Sequence, residues 1–85
     1  MGLMDGSSRR HKLSDREREC LIWISRGKTY VETAAILELS FGTIKTYLDS
    51  ARYKLNAVNV PQACVLAVVH GLITHEEVLA GEAVR

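Results

Sequence analysis

The sequence predicts an all-α protein, a compact four-helix domain with a short helical extension at its C-terminus. Three observations carry that expectation. Apolar residues recur at three- and four-residue spacings, as at Ile44, Leu48, Ala51 and Leu55, which puts them on one helical face. Residues able to cap a helix stand three positions ahead of a Glu or Gln at the head of successive runs: Ser14 and Glu17, Thr29 and Glu32, Asn59 and Gln62, Thr74 and Glu77. Each such pair satisfies two backbone donors that a helix start leaves unpaired. Finally, 85 residues with 47% hydrophobic content suffice for one small core and no more.

Composition narrows the function classes. The formal net charge is +1 with 25% charged residues, so the chain as a whole is not a basic polyanion binder, and any nucleic-acid reading rests on where the charges sit. No apolar run approaches the ~18 to 20 residues that span a bilayer, and no signal peptide is recognisable. The expected setting is therefore the cytoplasm, without a membrane partner. Met1-Gly2 suggests myristoylation, but Gly6 stands where that motif needs Ser or Thr. Cys20 and Cys64 lie far apart in apolar helical runs, as buried reduced thiols do. His70 and His75 are five apart with Gly71 between them, and the cysteines lack ligand spacing, so no metal site is expected. Glu17, Glu19, Glu32 and Glu38 have capping or surface explanations, and neither a nucleophile beside a His nor a glycine-rich phosphate loop is present. Neither an enzyme nor a cofactor is expected.

Taken in order, residues 1–12 mix Gly, Ser and charge without periodicity and are expected to form a flexible arm, with Arg9, Arg10, His11 and Lys12 as a short basic cluster. The domain proper is expected over 13–73 and the extension over 74–85. The first helix starts at Ser14, takes acidic Asp15 and Glu17 at its positive end, and stops at Arg26-Gly27. Cys20, Leu21 and Ile24 share a face with Glu17, flanked by Ile22 and Trp23, and Trp23 is expected in the core.

A second helix opens at Thr29 and ends near Leu37. Glu38, Leu39 and Ser40 make a turn of the length a helix-turn-helix uses, with Ser40 as N-cap of a third helix that runs from about 41 to 55. Its apolar residues occupy one face, while Lys45, Thr46, Asp49, Arg52 and Tyr53 point away. One face packs and the other is available to read a partner.

Asn59 caps a fourth helix, with Pro61 in its first turn, where the missing donor costs little. Residues 63–69 read ACVLAVV. A helix apolar all round needs cover on more than one side, and the simplest cover beyond its own core is a second copy of itself. A homodimer through Val65, Val68 and Val69 is expected. His70-Gly71 closes this helix, Leu72 and Ile73 return to the core, and Thr74 with Glu77 begins a short final turn that Gly81 ends.

Leu13-Ser14, Arg16-Glu17-Arg18-Glu19, Gly27-Lys28-Thr29, Ala34 with Leu37, Ser40, Thr43-Ile44-Lys45, Lys54-Leu55, Gln62-Ala63 and Gly71-Leu72-Ile73 together resemble the LuxR/GerE-type helix-turn-helix family in order and spacing, over residues 13 to 73. The resemblance implies a four-helix DNA-binding domain that dimerises through its last helix and regulates transcription. Carried over position by position, it implies base reading by Lys45, Thr46 and Asp49, and phosphate positioning by Lys28, Thr29, Ser40, Thr43 and Tyr47. Arg52, on the same outward face, is expected to join them. The pattern is not followed everywhere. Asp49 stands where the family commonly has a basic or small polar residue, and either accepts from cytosine N4 or repels phosphates. Val60 replaces a common arginine, Tyr47 a frequent histidine, and Thr33 a core isoleucine. Two functions are thus expected in competition. One is sequence-specific binding of double-stranded DNA as a homodimer, with RNA polymerase a further candidate partner. The other is a single-domain interaction module that heterodimerises with, and inhibits, a full-length regulator of the same family.

Overall fold

The computed structural model describes residues 12–83. Within them the chain forms α1 (Asp15–Ser25), α2 (Tyr30–Leu37), α3 (Phe41–Lys54), α4 (Val60–Val69) and α5 (His75–Ala83). Residues 1–11 of the expected arm, with Arg9, Arg10 and His11, lie outside the described residues, as do the last two positions of the expected extension.

Every helix start is built by local chemistry. Ser14 and Glu17 form a reciprocal capping box at α1, and Thr29 and Glu32 do so at α2. Thr74 and Glu77 repeat the exchange at α5, at 3.0 and 3.1 Å. At α4 the Asn59 side chain accepts from the Gln62 N–H at 2.8 Å, while the Gln62 side chain reaches the Val58 N–H at 2.7 Å. Each pairing satisfies donors that the helix cannot pair internally.

The helix ends share a second device. In α1, Gly27 N–H donates to Ile24 O at 2.9 Å and Lys28 N–H to Trp23 O at 3.0 Å, the paired bonds of a Schellman stop. The same pair closes α2 (Glu38 to Ala35, Leu39 to Ala34), α3 (Asn56 to Tyr53, Ala57 to Arg52) and α4 (Gly71 to Val68, Leu72 to Ala67). The stop needs one left-handed residue, supplied by Gly27 (φ 94°), Glu38 (φ 58°), Asn56 (φ 60°) and Gly71 (φ 75°). Three of these are residue types that tolerate the conformation. Glu38 is the exception, and it sits in the turn between α2 and α3.

Packing organises these helices around α1, which touches each of the other four. Cys20 and Leu21 of α1, Ile44, Leu48 and Ala51 of α3, Ala63 and Ala67 of α4, and Ile73 make the core. The apolar face expected of α3 is thus the face that is buried. Thr33 is fully buried, and its hydroxyl donates to Thr29 O at 2.8 Å. That bond lets a polar residue occupy an apolar position without an orphaned hydroxyl.

Two local expectations are corrected. Trp23 is half-buried rather than in the core; the Arg26 guanidinium lies over its ring at 4.5 Å and covers one face of it. Gly81 does not end a short turn; it falls inside the nine-residue α5. A glycine within a helix costs only about 1 kcal/mol relative to alanine, and α5 has outside support. Arg18 Nε donates to Leu72 O at 2.9 Å, the Arg18 guanidinium pairs with the Glu77 carboxylate, and Arg26 Nε donates to Glu77 O at 2.7 Å. Arg18 of α1 and Arg26, which caps its C-terminus, therefore clasp the first turn of α5, and Val78 packs against the core.

Candidate nucleic-acid interface

The candidate site is the N-terminal half and outward face of α3 together with the start of α2. Ser40 Oγ accepts from the Thr43 N–H at 3.0 Å and donates to Thr43 Oγ1 at 2.8 Å. Unlike α1, α2 and α5, α3 carries no acidic residue in its first turn. Its positive end is therefore not neutralised by its own sequence, the condition under which a helix start attracts an anion. At the neighbouring start of α2, the Thr29 N–H, helped by Lys28, holds the Glu32 carboxyl below its ordinary value. The two starts are joined by Tyr30 and Phe41, whose rings lie 5.8 Å apart and tilted.

The expected base-facing residues are brought together. Lys45, Thr46 and Asp49 are all exposed on α3, and Lys45 Nζ lies 3.3 Å from Asp49 Oδ2. Thr29 and Ser40 are exposed at the two helix starts, whereas Lys28, Thr43 and Tyr47 are half-buried beside them. Tyr47 packs its ring on the core. Arg52 is drawn partly away from the outward face: its Nη1 donates to Ala57 O at 3.1 Å, just beyond the end of α3. That bond uses one of five guanidinium donors and leaves the others available.

Glu17, a cap residue on the same face of α1 as Cys20, Leu21 and Ile24, also ties α3 to α1. Glu17 Oε1 accepts from Ser14 N–H at 2.8 Å and from Lys54 Nζ at 2.9 Å, and Oε2 accepts from Ser50 Oγ at 2.5 Å. Ser50 and Lys54 stand four apart on α3, so one carboxylate holds one turn of the recognition helix against the start of α1. Burial pushes the Glu17 carboxyl up, but the bonds from Ser50, Ser14 and Lys54 outweigh it and leave it below the ordinary 4.5. The available signal was the i, i+4 spacing of Ser50 and Lys54.

Away from these residues, α4 presents Val65 at 60% and Val69 at 69% exposure, with Val68 half-buried. These three line an apolar groove with Ser25, Cys64 and Val78. Cys20 is fully buried, and burial, aided by Glu19, pushes its thiol up to about 11. Among the described residues no group of three His, Cys, Asp or Glu could hold a metal ion, and no helix is long and apolar enough to cross a membrane.

Packed helices carrying a capped turn between α2 and a half-buried α3 define a helix-turn-helix fold. Residues 11–67 match the family of bacterial regulatory proteins of the luxR type, also called GerE, and the chain belongs to that family. It is 40% identical over 77 residues to the HTH-type quorum sensing-dependent transcriptional regulator VjbR of Brucella melitensis, covering 91% of this chain and 30% of VjbR. It is 45% identical over 60 residues to the transcriptional activator protein EsaR of Pantoea stewartii (71% of this chain, 24% of EsaR). It is 43% identical over 61 residues to the transcriptional activator protein SolR of Ralstonia solanacearum (72% and 26%). The chain thus spans less than a third of the length of these relatives. Membership of this family makes it a DNA-binding domain of the kind used in transcriptional regulation.

Proposed function

We propose that this domain binds double-stranded DNA sequence-specifically as a homodimer in the bacterial cytoplasm and thereby controls transcription, with α3 lying in the major groove. The observation that carries the reading is the division of α3 into two faces. Ile44, Leu48 and Ala51 are fully buried, so Lys45, Thr46 and Asp49 are presented from a fixed backbone, ahead of a helix start that carries no acid. Lys45 and Thr46, one turn into the helix, are the residues that reach base edges in such domains. Lys28, Thr29, Ser40, Thr43, Tyr47 and Arg52 surround them as phosphate contacts that set register. Exposed Val65 and Val69 supply the α4 contact between copies, which would set two recognition helices about one DNA turn, roughly 34 to 36 Å, apart.

Fluorescence anisotropy of labelled duplex from the gene's own upstream region, at two salt concentrations, tests this. Binding should weaken as salt rises, survive competitor DNA, and lose about 1 to 3 kcal/mol in Lys45→Ala. Equal affinity of wild type and Lys45→Ala would remove Lys45 from the reading. A folded dimer that binds no duplex at low salt would favour the inhibitory heterodimer with a full-length family member instead.

A further inference from the structure

Lys45 and Asp49 are the two most informative residues of the outward face, and the structure shows them joined. Lys45 Nζ is 3.3 Å from Asp49 Oδ2, with side chains 59% and 52% exposed. Arg52, three positions on from Asp49, is turned to the Ala57 carbonyl, so the pairing of Asp49 is with Lys45. The order, base before acid at i, i+4, is the weaker one on a helix, and solvent screens the pair. It is therefore readily opened by a better partner.

We infer that Lys45 and Asp49 act as one reading unit for a guanine and a cytosine lying one or two base pairs apart; the inference rests on the DNA-binding function proposed above. Four residues of helix advance about 6 Å, and stacked bases rise about 3.4 Å each, which sets that separation. Guanine offers two acceptors, N7 and O6, to an ammonium in the major groove. When Lys45 moves to them, the Asp49 carboxylate loses its partner in a groove walled by phosphates, where an unpaired negative charge is repelled. It then needs a donor. Cytosine presents N4 as its major-groove donor with no acceptor beside it, whereas adenine sets N7 beside N6, and guanine and thymine offer acceptors only. A site with guanine in place but guanine or thymine in the second register leaves the carboxylate facing acceptors only, and adenine sets its N7 acceptor against the second carboxylate oxygen. Discrimination arises from that mismatch as much as from the new bonds.

The same pairing restrains non-specific binding. On unrelated DNA, Asp49 offsets part of the Lys45 charge and so reduces the counterions released from the duplex.

In vitro selection from a randomised duplex library, run on wild type, Asp49→Ala and Asp49→Asn, tests the unit, with salt titrations on unselected duplex alongside. Wild type should yield a half-site with guanine and cytosine within two base pairs. Asp49→Ala should lose roughly tenfold discrimination at the cytosine position only. It should also bind unselected duplex several-fold more tightly, with a salt dependence steeper by about one unit of log K against log salt. Asp49→Asn should shift that position toward adenine, whose N6 and N7 match a side-chain amide. A wild-type motif that Asp49→Ala leaves unchanged would overturn the inference while leaving the DNA-binding function intact. No motif from any of the three proteins would overturn both.

Discussion

Glu17 shows how one side chain can serve three parts of the fold. Its carboxylate caps α1 and holds Ser50 and Lys54 of α3. Because its folded-state value lies below the ordinary 4.5, its contribution is complete above about pH 4.5 and is lost as the pH falls through the lowered value. Glu32 and Glu77 are lowered as well, first by the Thr29 and Thr74 backbone N–H groups. Acid unfolding should therefore steepen below pH 4.5. Glu17→Gln should lower stability at pH 7 by about 1 to 3 kcal/mol and flatten part of that acid slope, as urea melts across pH 3 to 7 would measure. Glu38 offers the opposite change. At φ 58° an L side chain is strained by about 1 to 2 kcal/mol, of which glycine returns about 0.5 to 1 through its freer unfolded chain. Glu38→Gly should raise the melting temperature by several degrees, and an unchanged or lower Tm would show that the Glu38 side chain makes a compensating contact. The Ser14 to Glu17 spacing was legible in the sequence because a capping box is local. The bonds to Ser50 and Lys54 were not, because they join residues 33 and 37 positions away.

At the scale of elements, α2 and α3 needed little beyond their own residues. The Thr29 and Ser40 caps, the turn from Glu38 to Ser40 and the four-three-four spacing of Ile44, Leu48, Ala51 and Leu55 are short-range signals, and α2 and α3 follow them closely. The fifth helix is different. Its sequence carries a good start and a glycine near its end, and reading that glycine as a stop was wrong because Arg18, Arg26 and Val78 anchor the helix from outside. Arg18→Ala should loosen it selectively. Backbone amides of residues 75–83 should exchange about tenfold faster or more while those of α3 change little, the loss of about 1 to 2 kcal/mol falling on the local opening of α5. Amides of α3 exchanging faster to the same degree would mean that α5 unfolds only with the whole domain.

For the molecule as a whole, the two sides of the fold have different work to do in the proposed function. In that reading the start of α3 would face DNA and the α4 surface a second copy. Val65 and Val69 are well exposed, so Val65→Lys should leave the melting temperature nearly unchanged, within about 0.5 kcal/mol in stability. In a symmetric contact the substitution brings two charges onto one apolar surface, and sedimentation should show a monomer whose affinity for a two-half-site duplex has fallen. A variant that still sediments as a dimer would place the contact elsewhere. Cys20 does not enter this picture chemically. Burial keeps its thiol protonated well above neutral pH, as suits a small core residue.

The sequence by itself determined the first four helices, their caps, the start of the fifth, the turn between α2 and α3 and which face of α3 is buried, because each of these depends on residues a few positions apart. It also carried the resemblance that the family match bears out. Only the tertiary structure decided that Glu17 ties α3 to α1, that α1 clasps α5, that Arg52 bends toward Ala57, and that Lys45 is paired with Asp49. Those outcomes depend on which charged side chains the packed core brings within reach. A long side chain in solution has many partners of nearly equal energy, and the fold selects among them by distance.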